Sequence, residues 1–257
     1  GGLVALANVL FGWPAVNVPQ VLALVAGLHV TESILIFVSG RYGAVPIILK
    51  KDDGRLVGAF TLQNFWPLPL VLLVAKVVLE GPGPAGIISM PDWWPPLPLG
   101  GEPPAGHTWL YEMGLAVAAL GYADIAVAST PARRRRRSAV HLFLYSTALM
   151  AMAVLSVKSA WLQAAAAIMS PLGHELLIRI DNRQEMKGEP LFVPPPRGVM
   201  VLDTVAASPA RKAGLRPGDI ILGLDGLPVG DSFELARAIS FAPAAFDLAV
   251  SREGRVF

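Results

Sequence analysis

Before residue 180 the chain consists of apolar runs of about twenty residues separated by short polar joints. That length is what a hydrocarbon layer about 30 Å thick requires of a helix rising about 1.5 Å per residue. Runs at 15–38, 109–128, 139–157 and 160–178 meet it, and a fifth at 57–79 does so if it begins near Val57. Buried helices of a soluble domain are the competing arrangement, disfavoured by the number of such runs in so short a stretch. Composition agrees: 54% of residues are hydrophobic and 16% charged, where soluble domains carry about 25% charged. This excludes a disordered chain, a coiled coil and an ordinary cytosolic enzyme. No cysteine is present, which excludes disulfides, thiolate catalysis and zinc–thiolate or iron–sulfur sites. The expected fold is therefore an α-helical polytopic membrane bundle of five or six helices, followed after residue 180 by a small soluble domain. Gly1–Phe11 is apolar but too short to span, and lacks the flanks of a signal peptide. It reads as a re-entrant piece or the tail of a span, and Ser251–Phe257 as a hairpin cut after its turn, so both ends look like those of a fragment.

The basic residues set a direction. Residues 39–65 hold Arg41, Lys50, Lys51 and Arg55; residues 130–138 hold Arg133, Arg134, Arg135, Arg136 and Arg137; ten more follow from Arg179 onward. Residues 80–108 hold none, but carry Glu80, Asp92, Glu102 and eight prolines. If all five runs cross, every Lys and Arg except Lys76 and Lys158 lies on one side, which the positive-inside rule makes cytoplasmic. The proline-rich segment 80–108 is then external and irregular. Most tryptophans fall at or beyond the outer interface, where indole rings prefer to sit. The five arginines read as an anchor on anionic lipid. A nucleic-acid site would want aromatic residues among the charges, so no nucleic-acid partner is expected.

Within the inner loop, two apolar runs flank Lys51-Asp-Asp-Gly54, so 44–62 reads as a cytoplasmic β-hairpin turning at Asp53-Gly54. Ionisable residues also fall inside the runs: His29, Glu32, Asp124, His174 and Glu175. Charges there are costly and normally pair or face a cavity, so these five are expected to form a polar cluster between helices. A zinc reading is weaker. His29-Val-Thr-Glu32 has the wrong order for a His-Glu-x-x-His motif, and His174-Glu175 has no second His after it. A shared zinc would still require His29 and His174 to lie within about 13 Å at Cα, given His–metal bonds of about 2.1 Å. No metal, cofactor or catalytic residue is expected.

After a linker at 181–197, residues 198–257 carry short-range signals of an α/β domain, mostly antiparallel strands with two helices. Gly198–Leu202 is a short apolar strand. Ser208-Pro209 caps a small-residue helix that ends at Gly214. Arg216-Pro-Gly-Asp219 is a turn, Ile220–Asp225 a strand, Asp225-Gly226 its turn, and Asp231 caps a second helix. The pattern SPA…AGL.PGD.I…DG.PV resembles the bacterial PDZ domain of the HtrA-like, permuted type, here truncated. Gly214, Leu215, Gly218 and Asp219 are its structural signature. The resemblance implies peptide capture at a sheet edge beside the second helix. That points to Val199, Met200 and Val201 on the strand and Phe233 and Arg237 on the helix. The preceding Glu189–Gly198 stretch contains four prolines, which remove N–H donors that would hold a terminal carboxylate.

The whole chain, with LHVTESILIFVSGR, GAFTLQNFWPLPL and LGHELLIRIDNR before the PDZ pattern, resembles the Firmicute MinJ-like PDZ membrane proteins. That resemblance implies a bacterial inner-membrane scaffold with a cytoplasmic PDZ domain, acting in division-site or polar organisation and not as an enzyme. The alternative is a divergent site-2-type intramembrane metalloprotease with a PDZ domain, using His29, Glu32 and His174. A transporter is a third class, but no internal repeat is present.

Overall fold

The computed structural model describes the chain apart from Pro14, Ala15, Arg41, Met90, Asp92 and residues 82–87 and 95–101. Most of the proline-rich segment expected to be external therefore lies outside the described residues. The elements are α1 (Gly2–Phe11), α2 (Val18–Ser39), β1 (Ala44–Lys50), β2 (Leu56–Leu79), β3 (His107–Ala126), α3 (Pro131–Leu155) and α4 (Ala160–Lys187). Then follow β4 (Val199–Met200), α5 (Pro209–Lys212), β5 (Ile220–Leu224), β6 (Leu227–Pro228), α6 (Ser232–Phe241), β7 (Leu248–Arg252) and β8 (Arg255–Val256).

The chain divides into two compact units: Gly1–Gly40 with Asn64–Tyr122 and Arg135–Asp181, and Arg41–Gln63 with Ala123–Arg134 and Asn182–Phe257. The first holds the apolar helices. Helix α2 begins where Asn17 Oδ1 accepts the Gln20 N–H at 3.1 Å, and ends at Gly40, whose φ of +54° leaves the helical region. Two helices among the described residues are long and apolar enough to cross a membrane: Val18–Ser39, and α3 with its short 3₁₀ extension, Pro131–Lys158.

Here the expected helical bundle fails. The segments expected to span at 57–79 and 109–128 are strands, not helices: β2 has 24 residues and β3 has 20. Together with β1 they form a three-stranded sheet in the order β1-β2-β3. At about 3.3 Å per residue β2 extends roughly 80 Å. Gly114 lies beside Leu72 and Gly121 beside Phe65, close enough that an added Cβ would stand 3.9 Å from each neighbour, and with the 2.8 Å hydrogen bond from Glu80 N–H to Gly106 O these neighbours run antiparallel. The reason lies in the residues. Pro67 and Pro69 inside a helix would each forfeit a backbone bond and clash, costing about 3 kcal/mol apiece. A strand tolerates them at an open edge, and they fall after Leu62, where β1 has stopped pairing with β2. Beyond that point burial in β2 mostly alternates between half-buried and exposed, the period of a strand.

The second unit begins with the hairpin of β1 and the start of β2, registered from Ala44 opposite Leu62 to Lys50 opposite Leu56. Val57 and Ala59 are fully buried there with Val127, and Ile47 and Leu49 pack on them. The rest of this unit is a five-stranded sheet ordered β4-β5-β7-β8, with β6 also paired to β5. Strands β4 and β6 lie on β5 end to end: β4 takes Ile220 and Ile221, β6 takes Gly223 and Leu224. The stretch between α4 and β4 is held along its length. Gly188 O accepts from Lys51 Nζ at 3.2 Å, Leu191 N–H donates to Val127 O, Gly58 N–H donates to Phe192 O, and the Phe60 and Phe192 rings meet edge to face at 5.7 Å.

Candidate functional site: a groove beneath helix α6

Local chemistry builds the C-terminal domain. Ser208 Oγ accepts the Arg211 N–H, and Pro209 opens α5. Gly214 and Gly218 both hold φ of +92°, a region where a side chain is strained. Asp219 is 1% exposed. Its carboxylate accepts two hydrogen bonds of 2.6 Å from Arg252 on β7 and one of 2.8 Å from Arg216 N–H. The Arg252 guanidinium, with the Arg216 N–H, holds the Asp219 carboxyl below its ordinary range although burial opposes this. Asp219 thus ties the Pro-Gly-Asp turn to β7.

Helix α6 is capped in the same way. Asp231 Oδ1 accepts the Glu234 N–H, and Glu234 Oε2 accepts the Gly230 N–H at 2.7 Å. Against this helix lies a cavity of about 760 Å³, with α6 on one side, the β5–β6 hairpin on the other and Arg197 also in its wall. Its wall includes Leu227 and Phe241, which are 65% and 83% exposed. Leu227 and Phe241 thereby offer apolar surface to anything that enters the cavity.

The groove residues expected from sequence are divided. Arg237 lines the cavity. Phe233 is on the same helix and exposed, but outside the lining. Val199 and Met200 pair with β5, and Val201 exchanges backbone bonds with Gly218 and Asp219, so these three stand on the β4 flank and not in the cavity. Arg197 was missed. It stands in the proline-rich stretch, and only the fold brings it to the groove.

The five ionisable residues expected to cluster do not form one group. His29 on α2 and His174 on α4 do meet, with ring centroids 5.1 Å apart. Tyr145 of α3 stands edge-on to both at 6.0 and 6.1 Å, and its hydroxyl donates to Ser170 O. Asp124 instead pairs with Arg134 at 2.7 Å. Glu175 pairs with Arg179 one turn along α4, both exposed, and Glu32 interacts with the backbone of Gly121. The two histidines are within reach of a shared ion. Among the described residues, however, no group of three or more His, Asp or Glu converges as a metal site, and a catalytic zinc takes three protein ligands.

The arginine run is also divided. Arg134 and Arg135 are 1% and 0% exposed. Arg134 is bound to Asp124 and Asn182, while Arg135 donates to Gly40 O and stands over the Tyr122 ring. Neither can reach a lipid surface, which corrects the expectation that all five form a lipid anchor and leaves Arg133, Arg136 and Arg137. Nearby, Glu185 is buried and accepts from Val127 N–H, Ala128 N–H and Ser129 Oγ at 3.0, 2.8 and 2.6 Å. Burial alone would raise its carboxyl, but the Ser129 hydroxyl and the two backbone donors hold it below the ordinary range. Nothing in the sequence spacing announces this contact.

Comparison with known proteins agrees with this domain. Residues 175–254 match the PDZ domain family. The chain is 27% identical over 230 residues, 88% of its length, to the cell division topological determinant MinJ of Bacillus subtilis. It is also 32% identical over 68 residues to the putative serine protease HhoA of Synechocystis, a match confined to the PDZ region that covers 25% of this chain and 17% of that protein. The chain spans about half the length of MinJ, 52% of it. The chain thus resembles MinJ over most of its length and matches the PDZ domain family at residues 175–254.

Proposed function

We propose that this chain is a bacterial inner-membrane adaptor that acts without catalysis at the division site, gripping a protein partner in the groove between α6 and the β5–β6 hairpin. The observation that carries this reading is the groove itself: an open, largely apolar cavity on a domain whose relatives include a division determinant. The similarity to a protease covers only the PDZ region and does not establish catalysis.

Charge supports a cytoplasmic placement of the second unit. The second unit contains the 41–63 segment, the segment ending at Arg134 and the C-terminal domain, and with them most of the basic residues. Placing it in the cytoplasm satisfies the positive-inside rule. Because α2 and α3 alone would leave residues after Lys158 on the opposite side, this arrangement requires the apolar first part of α4 (160–178) to return the chain, with Arg133, Arg136 and Arg137 facing anionic lipid. A fluorescent fusion of the full chain tests the reading in cells. Enrichment at division sites that is lost in Ala238→Trp, which fills the groove, is the expected result. An even membrane distribution of the unaltered chain, or enrichment indifferent to Ala238→Trp, contradicts it.

A further inference from the structure

We infer that the groove selects an acidic segment, taking apolar side chains on its floor and a carboxylate at Arg197 and Arg237. This rests on the adaptor reading and adds the chemistry of the partner. The cavity contains two cations and two acids near its wall: Arg197, Arg237, Asp225 and Glu234. The acids are engaged. Glu234 Oε2 holds the Gly230 N–H at 2.7 Å, and Asp225 Oδ1 holds the Asp247 N–H at 2.7 Å. The arginines are not. Among the described residues neither guanidinium has an ion-pair or hydrogen-bond partner, and both side chains are exposed. The lining carries no net charge, but its acids already accept backbone donors while its guanidinium N–H groups are unspent, so what the groove offers a ligand is hydrogen-bond donors that suit a carboxylate.

The groove's approach also bears on which carboxylate is read. Pro194, Pro195 and Pro196 immediately precede Arg197, and each lacks the N–H that a loop would use to hold a terminal carboxylate. Guanidinium groups do not share this limitation. They hold a carboxylate through planar, charge-assisted hydrogen bonds, and a Glu or Asp side chain inside a continuous segment supplies one. Apolar residues of the same segment then cover Leu227 and Phe241.

The test uses the full chain in nanodiscs made from neutral lipid. The probes are three short peptides of alternating Leu and Val: one with Glu at the intervening positions, blocked at both ends; its Gln counterpart, also blocked; and the Gln peptide with a free C-terminus. The blocked Glu peptide is expected to bind at least about tenfold more tightly than the blocked Gln peptide, the scale of a charge-assisted hydrogen bond. Arg237→Gln and Arg197→Gln are each expected to remove most of that difference, leaving the Gln peptide unaffected. Both arginines are exposed, so neither change threatens folding. Equal binding of the two blocked peptides, preference for the free-terminus peptide, or indifference to both substitutions overturns the inference. Ala238→Trp separates this from the adaptor reading. If it abolishes binding while the arginine changes do nothing, the groove stands and the acidic preference falls. If no peptide responds to Ala238→Trp, the groove itself is not the site.

Discussion

The two sheets of this protein are built on different principles. The five-stranded sheet uses strands of two to five residues, each ended by a turn whose chemistry is written beside it: Gly214, Gly218, Asp225-Gly226 and Glu253-Gly254 all hold positive φ. In the three-stranded sheet β1 and β2 meet across a local turn, but the 24-residue β2 and the 20-residue β3 are brought together from either side of the 80–106 segment. Its buried end near Val57 and Val127 is fastened by residues more than fifty positions away, Glu185, Leu191 and Phe192. Local structure of the first kind comes from adjacent residues; structure of the second kind exists only once the chain has folded back.

If that contrast is right, single changes at the remote fasteners should cost more than changes at local turns. Glu185→Ala leaves three buried donors without an acceptor and is expected to destabilise the second unit by about 3 kcal/mol, read by denaturant unfolding in nanodiscs. Asp219→Asn disturbs a turn carboxylate, 1% exposed, whose ties run to Arg216 beside it and to Arg252 at a shorter sequence separation than that of Glu185 from Val127, with an expected cost of about 2 kcal/mol. A larger loss at Asp219 than at Glu185 would break the comparison.

Acid sharpens it. Both carboxyls ionise more readily in the folded chain than in the unfolded one, so the unfolded state binds more protons in the acid range. Their stabilisation is complete above the ordinary carboxylate pKa of about 4 and is lost as pH falls below that through the folded values. A pH series of the unfolding midpoint should therefore drop on the acid side, and Glu185→Gln should flatten that drop.

Glycines give a smaller contrast of the same kind. At Gly58 a Cβ would collide with Leu202 Cδ2 and stand 2.9 Å from Phe192 Cβ. Gly58→Ala is expected to cost about 1–3 kcal/mol through overpacking. At Gly218 nothing lies within 4 Å, so Gly218→Ala pays only for the positive φ, about 1 kcal/mol. Smallest of all, Arg55→Gln removes an exposed ion pair with Asp53 within the β1–β2 turn and should leave the midpoint unchanged.

The same contrast explains what could be read beforehand. The Pro-Gly-Asp turn, the Asp231 cap and the Asp53-Gly54 turn are legible because each depends on residues within a few positions. The long apolar segments misled, since hydrophobicity over twenty residues does not distinguish helix from strand without a period. Two signals were present in 57–79: Pro67 with Pro69, and a run rich in valine and aromatic residues. Of the groove proposed as the site, the helix side is the part that sequence spacing marks. Arg237 follows from the spacing along α6, but Arg197 reaches the cavity through the path of the chain. The β4 edge, chosen by resemblance, lies end to end with β6, and it is β6 that lines the cavity. The histidine pair met as the reach argument allowed, but Asp124 went to Arg134, a contact made when α3 begins with buried arginines.

Amide hydrogen exchange on the full chain in nanodiscs, with and without the blocked Glu peptide, tests the central claim most directly. Slowed exchange along α6 and the β5–β6 hairpin, with β4 unchanged, is the outcome that the proposed groove predicts. Protection along Val199–Val201 instead, with α6 and β6 unaffected, would place the partner on the other flank and contradict it.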